Sequence, residues 1–198
     1  TVANTLFIIT TETIFLAFFG YIFLKEKITL ITFISILLGM SGVLLIVGSS
    51  LTIQSSEQFF GNIVAFVMPI SFAILIIIVR KYPNVDMVPA QFTAGIFAAF
   101  IGYFVADKLL ISPNDLFLAF LAGLFQIGFG FILITVGSRT TPAAVVGVLM
   151  LTEAVFGPLW AWLFINEIPP ITVIIGGAII ILAILFEFIL NKKIPRNK

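Results

Sequence analysis

Two carboxyl groups are the strongest candidates for chemistry in this chain. Glu12 and Glu153 each stand close to the midpoint of a long apolar run. A carboxylate at that depth in a bilayer costs ~2.5–3.5 kcal/mol even on insertion scales, and such residues normally face a bundle interior or a water-filled cavity. Desolvation there disfavours the ionised form. A proton taken up and released, or a substrate ammonium group held, is the role such a group suits. The structural alternative is a neutral carboxyl hydrogen-bonded to a neighbouring helix. Thr11 and Thr152 precede the two glutamates. Thr10, Ser71, Gln91, Thr93 and Gln126 add further mid-span polar groups. Gln126, between Gly123 and Gly128, offers two donors and an acceptor to a zwitterionic or polar ligand, or to another helix. Trp160 falls two helical turns beyond Glu153 on the same face, placed to line an apolar pocket or to pack against lipid. The expected substrate- or proton-binding set is therefore Glu12, Glu153, Gln126, Thr11, Thr152 and Trp160.

Glu26 and Glu167 each sit just before a following helix, whose positive end favours a carboxylate; a gate contact is their other reading. Glu187 lies near Lys192 and Lys193, where snorkelling or pairing accounts for it. Tyr21 and Trp162 fit an interfacial belt or packing. Small-residue stripes, Ala94-Ala98-Gly102 with Gly95 and Ala99, and Gly39 with Gly42, read as close helix packing.

The missing residue types narrow the chemistry. With no His and no Cys, there is no thiolate nucleophile, no imidazole base, no Cys/His zinc or haem site and no disulfide. No Walker-type phosphate loop is present. No catalytic residue, cofactor, metal or nucleic-acid partner is expected. A retinal photoreceptor would need a lysine buried in the last span, and none precedes Lys192 there. A membrane enzyme using the paired carboxylates as acid and base is the alternative from another class.

The elements that must position these groups follow from composition. The chain has 198 residues, is 61% hydrophobic and only 10% charged, against about 25% charged in an ordinary globular protein. A spanning helix takes roughly 20 apolar residues. Seven candidates appear: Val2–Leu24, Ile28–Gly48, Phe59–Val79, Val88–Ala106, Leu116–Val136, Ala143–Ile165 and Pro170–Leu190. Continuous apolar runs exclude a β-barrel, whose strands alternate. Alternating loops put Lys25, Lys27, Arg80, Lys81, Arg139, Lys192, Lys193, Arg196 and Lys198 on one side and Lys108 alone on the other. The basic side is cytoplasmic by the positive-inside rule, so the C-terminus is expected inside.

The chain also repeats itself. At a fixed offset of 141 positions, that from Glu12 to Glu153, Ala3 meets Ala144, Thr11 meets Thr152, Phe15 meets Phe156, Phe23 meets Phe164 and Glu26 meets Glu167. Five spans separate equivalent positions, and an odd number inverts the second copy. Inverted-topology repeats are a hallmark of secondary transporters. The motif, Thr-Glu-x-x-Phe and an apolar run to Glu followed by a Gly-containing helix, resembles the EamA-like branch of the drug/metabolite transporter superfamily. It occurs as Thr11-Glu12 to Glu26 with Gly39 and Gly42, and as Thr152-Glu153 to Glu167 with Gly176-Gly177. The connector Gly137-Ser138-Arg139-Thr140-Thr141-Pro142-Ala143-Ala144 is similar to that family's as well. Where the family often has a proline after the mid-helix Glu, Thr13 and Ala154 stand here, with Pro158 a turn later.

The resemblance implies ten helices in two five-helix halves. The expected fold is thus an all-α polytopic transmembrane bundle with seven helices in hand and the first repeat incomplete. Residues 1–50 would be the last two helices of the first repeat, 51–58 a loop, 59–191 the complete second repeat and 192–198 a basic cytoplasmic tail. Residue 1 opens into an apolar stretch without the basic start of a signal peptide. Three helices, about 83 residues of a parent of about 281, are expected before it if the copies are equally long. The implied function is a secondary transporter, an exporter of small metabolites such as amino acids, in a bacterial inner membrane. It would work as monomer or homodimer, with lipid, a small-molecule substrate and protons as partners. An inactive transporter fragment is the remaining reading.

Overall fold

In the computed structural model, residues 2–48, 56–106, 112–166 and 168–191 are described, with backbone alone at 2–4, 56–58 and 165. Glu167, Lys108, the basic tail from Lys192 and the connector Ser49–Ser55 lie outside them.

Among the described residues the structure is helical, with no strand. Seven spans are long and apolar enough to cross a membrane: Thr5–Leu24, Leu30–Val47, Phe59–Lys81, Val88–Val105, Pro113–Ser138, Ala143–Phe164 and Ile171–Asn191. The protein is an integral membrane protein built from them. Their starts use ordinary helix chemistry. Thr29 accepts the Thr32 amide at 3.1 Å, and Ser112 accepts that of Asp115 at 3.1 Å with Pro113 leading the helix.

The chain divides into two compact units, residues 1–78 with 141–198, and residues 79–140. The first unit contains α1 (Val2–Thr10), α2 (Glu12–Leu24), α3 (Leu30–Val47), α4 (Ser56–Ala65), most of α5 (Val67–Lys81), α9 (Ala143–Met150), α10 (Thr152–Ile165) and α11 (Ile171–Asn191). Helices from both sequence copies therefore share one unit. α3 packs antiparallel on α11, and α2 packs on α9. Two apolar clusters form its core: Val43, Val47, Leu151, Ala154 and Ile180, and Ala17, Ile36, Ala144 and Val148.

Two glycine contacts set how closely these pairs approach. A Cβ on Gly42 would lie 2.6 Å from the Gly176 carbonyl oxygen, and one on Gly176 would lie 2.5 Å from that of Gly42. A Cβ on Gly147 would lie 2.8 Å from the Thr13 Cα, and the Thr13 hydroxyl donates to the Gly147 carbonyl at 2.9 Å. Small residues at such crossings let backbones touch and hydrogen-bond within the membrane.

The second unit holds α6 (Val88–Val105), α7 (Pro113–Leu121), a π-helical segment (Ala122–Phe129) and α8 (Gly130–Ser138). Neither α6 nor α7 has a buried residue. The α6 small-residue stripe, expected to pack closely, meets no neighbour among the described residues: Cβ atoms on Gly95 or Gly102 would meet nothing within 4 Å. Asp86 pairs with Arg139 at 2.9 Å, and Arg80 donates to the terminal carbonyls of α8 at Ser138 and Arg139.

Candidate functional site

Each candidate glutamate follows an interruption in its helix. α1 gives way to α2 at Thr11, and α9 gives way to α10 at Leu151. The interrupting residues have nearly the same backbone, φ −64°, ψ −12° at Thr11 and φ −60°, ψ −16° at Leu151. Around them the ladder tightens. The Thr11 amide donates to the Ile8 carbonyl at 3.1 Å, and the Ala154 amide to that of Leu151 at 3.2 Å. Threonine hydroxyls bonding back to their own helix favour such bends. Thr11 donates to the Ile8 carbonyl at 2.5 Å, and Thr152 makes the equivalent bond to Leu149 at 2.7 Å. The interruptions need no proline, and Pro158 lies inside the continuing α10.

Glu12 and Glu153 thus stand in the first turns of α2 and α10, where the positive helix end favours a carboxylate. They are close enough for their carboxyl groups to interact electrostatically. Glu12 is buried at 5% exposure, whereas Glu153 is exposed among the described residues.

The other expected residues separate. The Thr11 and Thr152 hydroxyls donate to their own helices. Trp160 is exposed, stacked on Phe156 with ring centroids 6.2 Å apart and tilted against Phe164 at 5.6 Å. The same ladder recurs on α2 as Phe15–Phe19–Phe23, at 5.9 and 5.8 Å. Gln126 is exposed within the π-helical segment of the second unit. Gln91 on α6 donates to Thr135 and to the Phe131 carbonyl, so it bridges α6 and α8.

Glu26 serves a different helix end from the one its position suggests. α2 terminates at Lys25 in the left-handed region, φ 55°, which redirects the chain. Thr29 caps α3, and the Glu26 carboxylate accepts the Ala143 amide at 2.8 Å at the start of α9. The matching turn after α10 has Asn166 at φ 58°. Lys25 and Asn166 are 141 positions apart, as are Gly20 and Ala161, whose carbonyls accept their respective amides. Glu26→Ala is expected to cost about 1 kcal/mol, with Glu26→Gln losing less; equal thermal midpoints for Glu26→Ala and the parent would refute the cap.

Glu187 does not snorkel. It is 2% exposed, covered where α3 crosses α11, and accepts hydrogen bonds from Thr32 at 3.0 Å and from Asn191. Its position near a span end hid this, though the Glu187–Asn191 spacing of one turn was a usable signal. Thr13, buried and bonded across to α9, was also missed; it is masked in sequence by its place beside Glu12.

Comparison with known proteins gives two likenesses. The EamA-like transporter family matches residues 59–189. An uncharacterized transporter of Clostridium kluyveri is 25% identical over 193 residues, covering 92% of this chain and 62% of that relative. The chain therefore spans about three-fifths of the relative's length. No solved structure matches it.

Proposed function

The chain belongs to the EamA-like transporter family, and from that membership we propose that it acts as a secondary transporter of small metabolites, not as an enzyme. The observation that carries the mechanism is the pair of helix interruptions, at Thr11 and Leu151, each followed within two residues by a glutamate, with Glu12 and Glu153 in electrostatic reach. Broken helices near the bilayer midplane are how many transporters bind polar cargo, with helix ends and freed backbone groups as ligands. The left-handed turns at Lys25 and Asn166, 141 positions apart, support inverted repeats, and the similar dihedrals at Thr11 and Leu151 fall within one position of the same offset. On this reading the copies exchange roles between inward- and outward-open states.

Glu12 and Glu153 bind a substrate ammonium group or a proton, with Thr11 and Thr152 beside them. Trp160 extends the candidate surface, Gln126 in the second unit is a separate candidate contact for a polar substrate, and Glu26, with Glu167 as its sequence counterpart, serves as a gate. Small amino compounds such as amino acids fit this chemistry, and export is the proposed direction. The partners are the lipid bilayer, the small-molecule substrate and protons, in monomer or homodimer form, within a bacterial inner membrane.

The test is flux in proteoliposomes containing the protein as expressed from its own gene, with a panel of labelled amino acids and other small amines. Flux above protein-free vesicles is expected for at least one amine; flux confined to anions would overturn the reading. A fluorescent reporter fused after Lys198 is expected to report the cytoplasm, as the charge bias requires. A reporter on the opposite side would reverse the orientation.

A further inference from the structure

We propose that Glu187 forms a sodium-ion site at the crossing of α3 and α11, separate from Glu12 and Glu153. The carboxyl group is 2% exposed, and its hydrogen bonds are lopsided. Thr32 and Asn191 both donate to Oε1, while Oε2 is buried without a partner among the described residues. Asn191 also donates to the Thr32 hydroxyl at 3.2 Å, and Thr29 lies 2.9 Å from that hydroxyl. The donors thus fix the carboxyl plane and leave one oxygen open.

A second buried oxygen is open nearby along the same face. Ser35 lies one turn from Thr32 on α3, is 0% exposed, and its Oγ has no partner among the described residues. No charged side chain occurs on α3 or α9, Glu187 is the sole one on α11, and α10 carries only Glu153. Among the described residues, the helices packed against Glu187 bring no basic group to it. A buried carboxylate with one oxygen left without a partner is costly, and a cation on that oxygen removes the cost.

An approach to the site is present as well. A cavity of about 160 Å³ opens at the end of the bundle that carries the turn at Lys25. Thr32 and Asn191, the two residues bonded to Oε1, line it together with Glu26, Lys27 and Thr29. Glu26 and Lys27 are the charged groups facing the site from this side. The cavity accommodates a small ion and its water, and Thr32 and Asn191 stand between it and the carboxyl group.

The experiment measures the thermal midpoint of the purified chain in phosphatidylcholine nanodiscs. The titration exchanges choline chloride for NaCl at constant ionic strength and pH. A ligand that binds only the folded state raises the midpoint with the logarithm of its concentration. A sodium-dependent rise that Glu187→Gln abolishes supports the site. Equal sodium responses of parent and Glu187→Gln overturn it. Ser35→Ala keeps the carboxyl group, so it decides the matter even where Glu187→Gln fails to fold. Its half-effect concentration is expected to shift about tenfold, the scale of one hydrogen bond to a charged group; an unchanged value overturns the proposal. The readout needs no transport, so it stands or falls apart from the transport assay.

Discussion

Glu153→Gln is expected to lower flux of an amine substrate about tenfold to a hundredfold while leaving membrane expression unchanged, and Glu12→Gln to do the same. The magnitude is that of a hydrogen bond to a charged group, ~1.5–3 kcal/mol, converted to a rate or affinity ratio. Gln keeps the shape and hydrogen-bonding capacity of a carboxyl group but binds neither a proton nor an ammonium ion as a counter-charge. Because the two carboxyl groups sense one another, the double variant should lose less than the product of the single effects. The variants should also flatten the pH dependence of flux. Unchanged flux with an unchanged pH profile would remove both residues from the mechanism and leave them as interhelical hydrogen-bonding groups.

Gly42→Val and Gly176→Val should be the most damaging substitutions at the α3–α11 crossing, each costing about 3 kcal/mol or more. The first atom beyond the α-carbon would already lie 2.6 Å or 2.5 Å from the opposing carbonyl oxygen. That oxygen belongs to backbone, so it cannot rotate aside as a side chain would. Moving the helices apart would uncover Ile180 and Val43, both 0% exposed. Gly95→Val on α6 is the control, since its Cβ meets nothing within 4 Å. Its effect should stay within about 0.5 kcal/mol. Size-exclusion profiles and thermal midpoints of the three variants check this; equal behaviour at positions 42 and 95 would mean that the crossing carries no stability.

These sites also mark what could be read in the residues themselves. The seven spans were legible because hydropathy over about 20 residues measures the property that a bilayer selects. The proximity of Glu12 and Glu153 was foreshadowed by their shared offset, although only the packed helices bring the two groups into reach. The breaks at Thr11 and Leu151 were not legible. Shifting a backbone bond from four residues to three changes no hydropathy, and Thr11 and Thr152 are isolated hints. Small residues misled for a related reason: they permit close approach without requiring it, so Gly42 and Gly95 look alike in sequence and differ in space. Glu26 and Glu187 were assigned to their local helix ends, but their carboxyl groups bond to residues 117 and 155 positions away, Ala143 and Thr32. Periodicity within one helix carries no record of such partners.

The π-helical segment has a consequence of another kind, one of angular phase. Its turns join residues five apart rather than four, and Gly128 lies against the Gly123 carbonyl, 3.2 Å from where its Cβ would be. Each wide turn consumes an extra residue for the same rotation, so the facial stripe entering on α7 falls out of step before α8 begins. Side chains at Leu116 and Ile132, on opposite sides of the segment, cannot be placed on one face by counting in threes and fours. Gln126 sits where that count slips, and its bearing follows neither flank. In length Pro113–Ser138 is a single rod; in azimuth it is two.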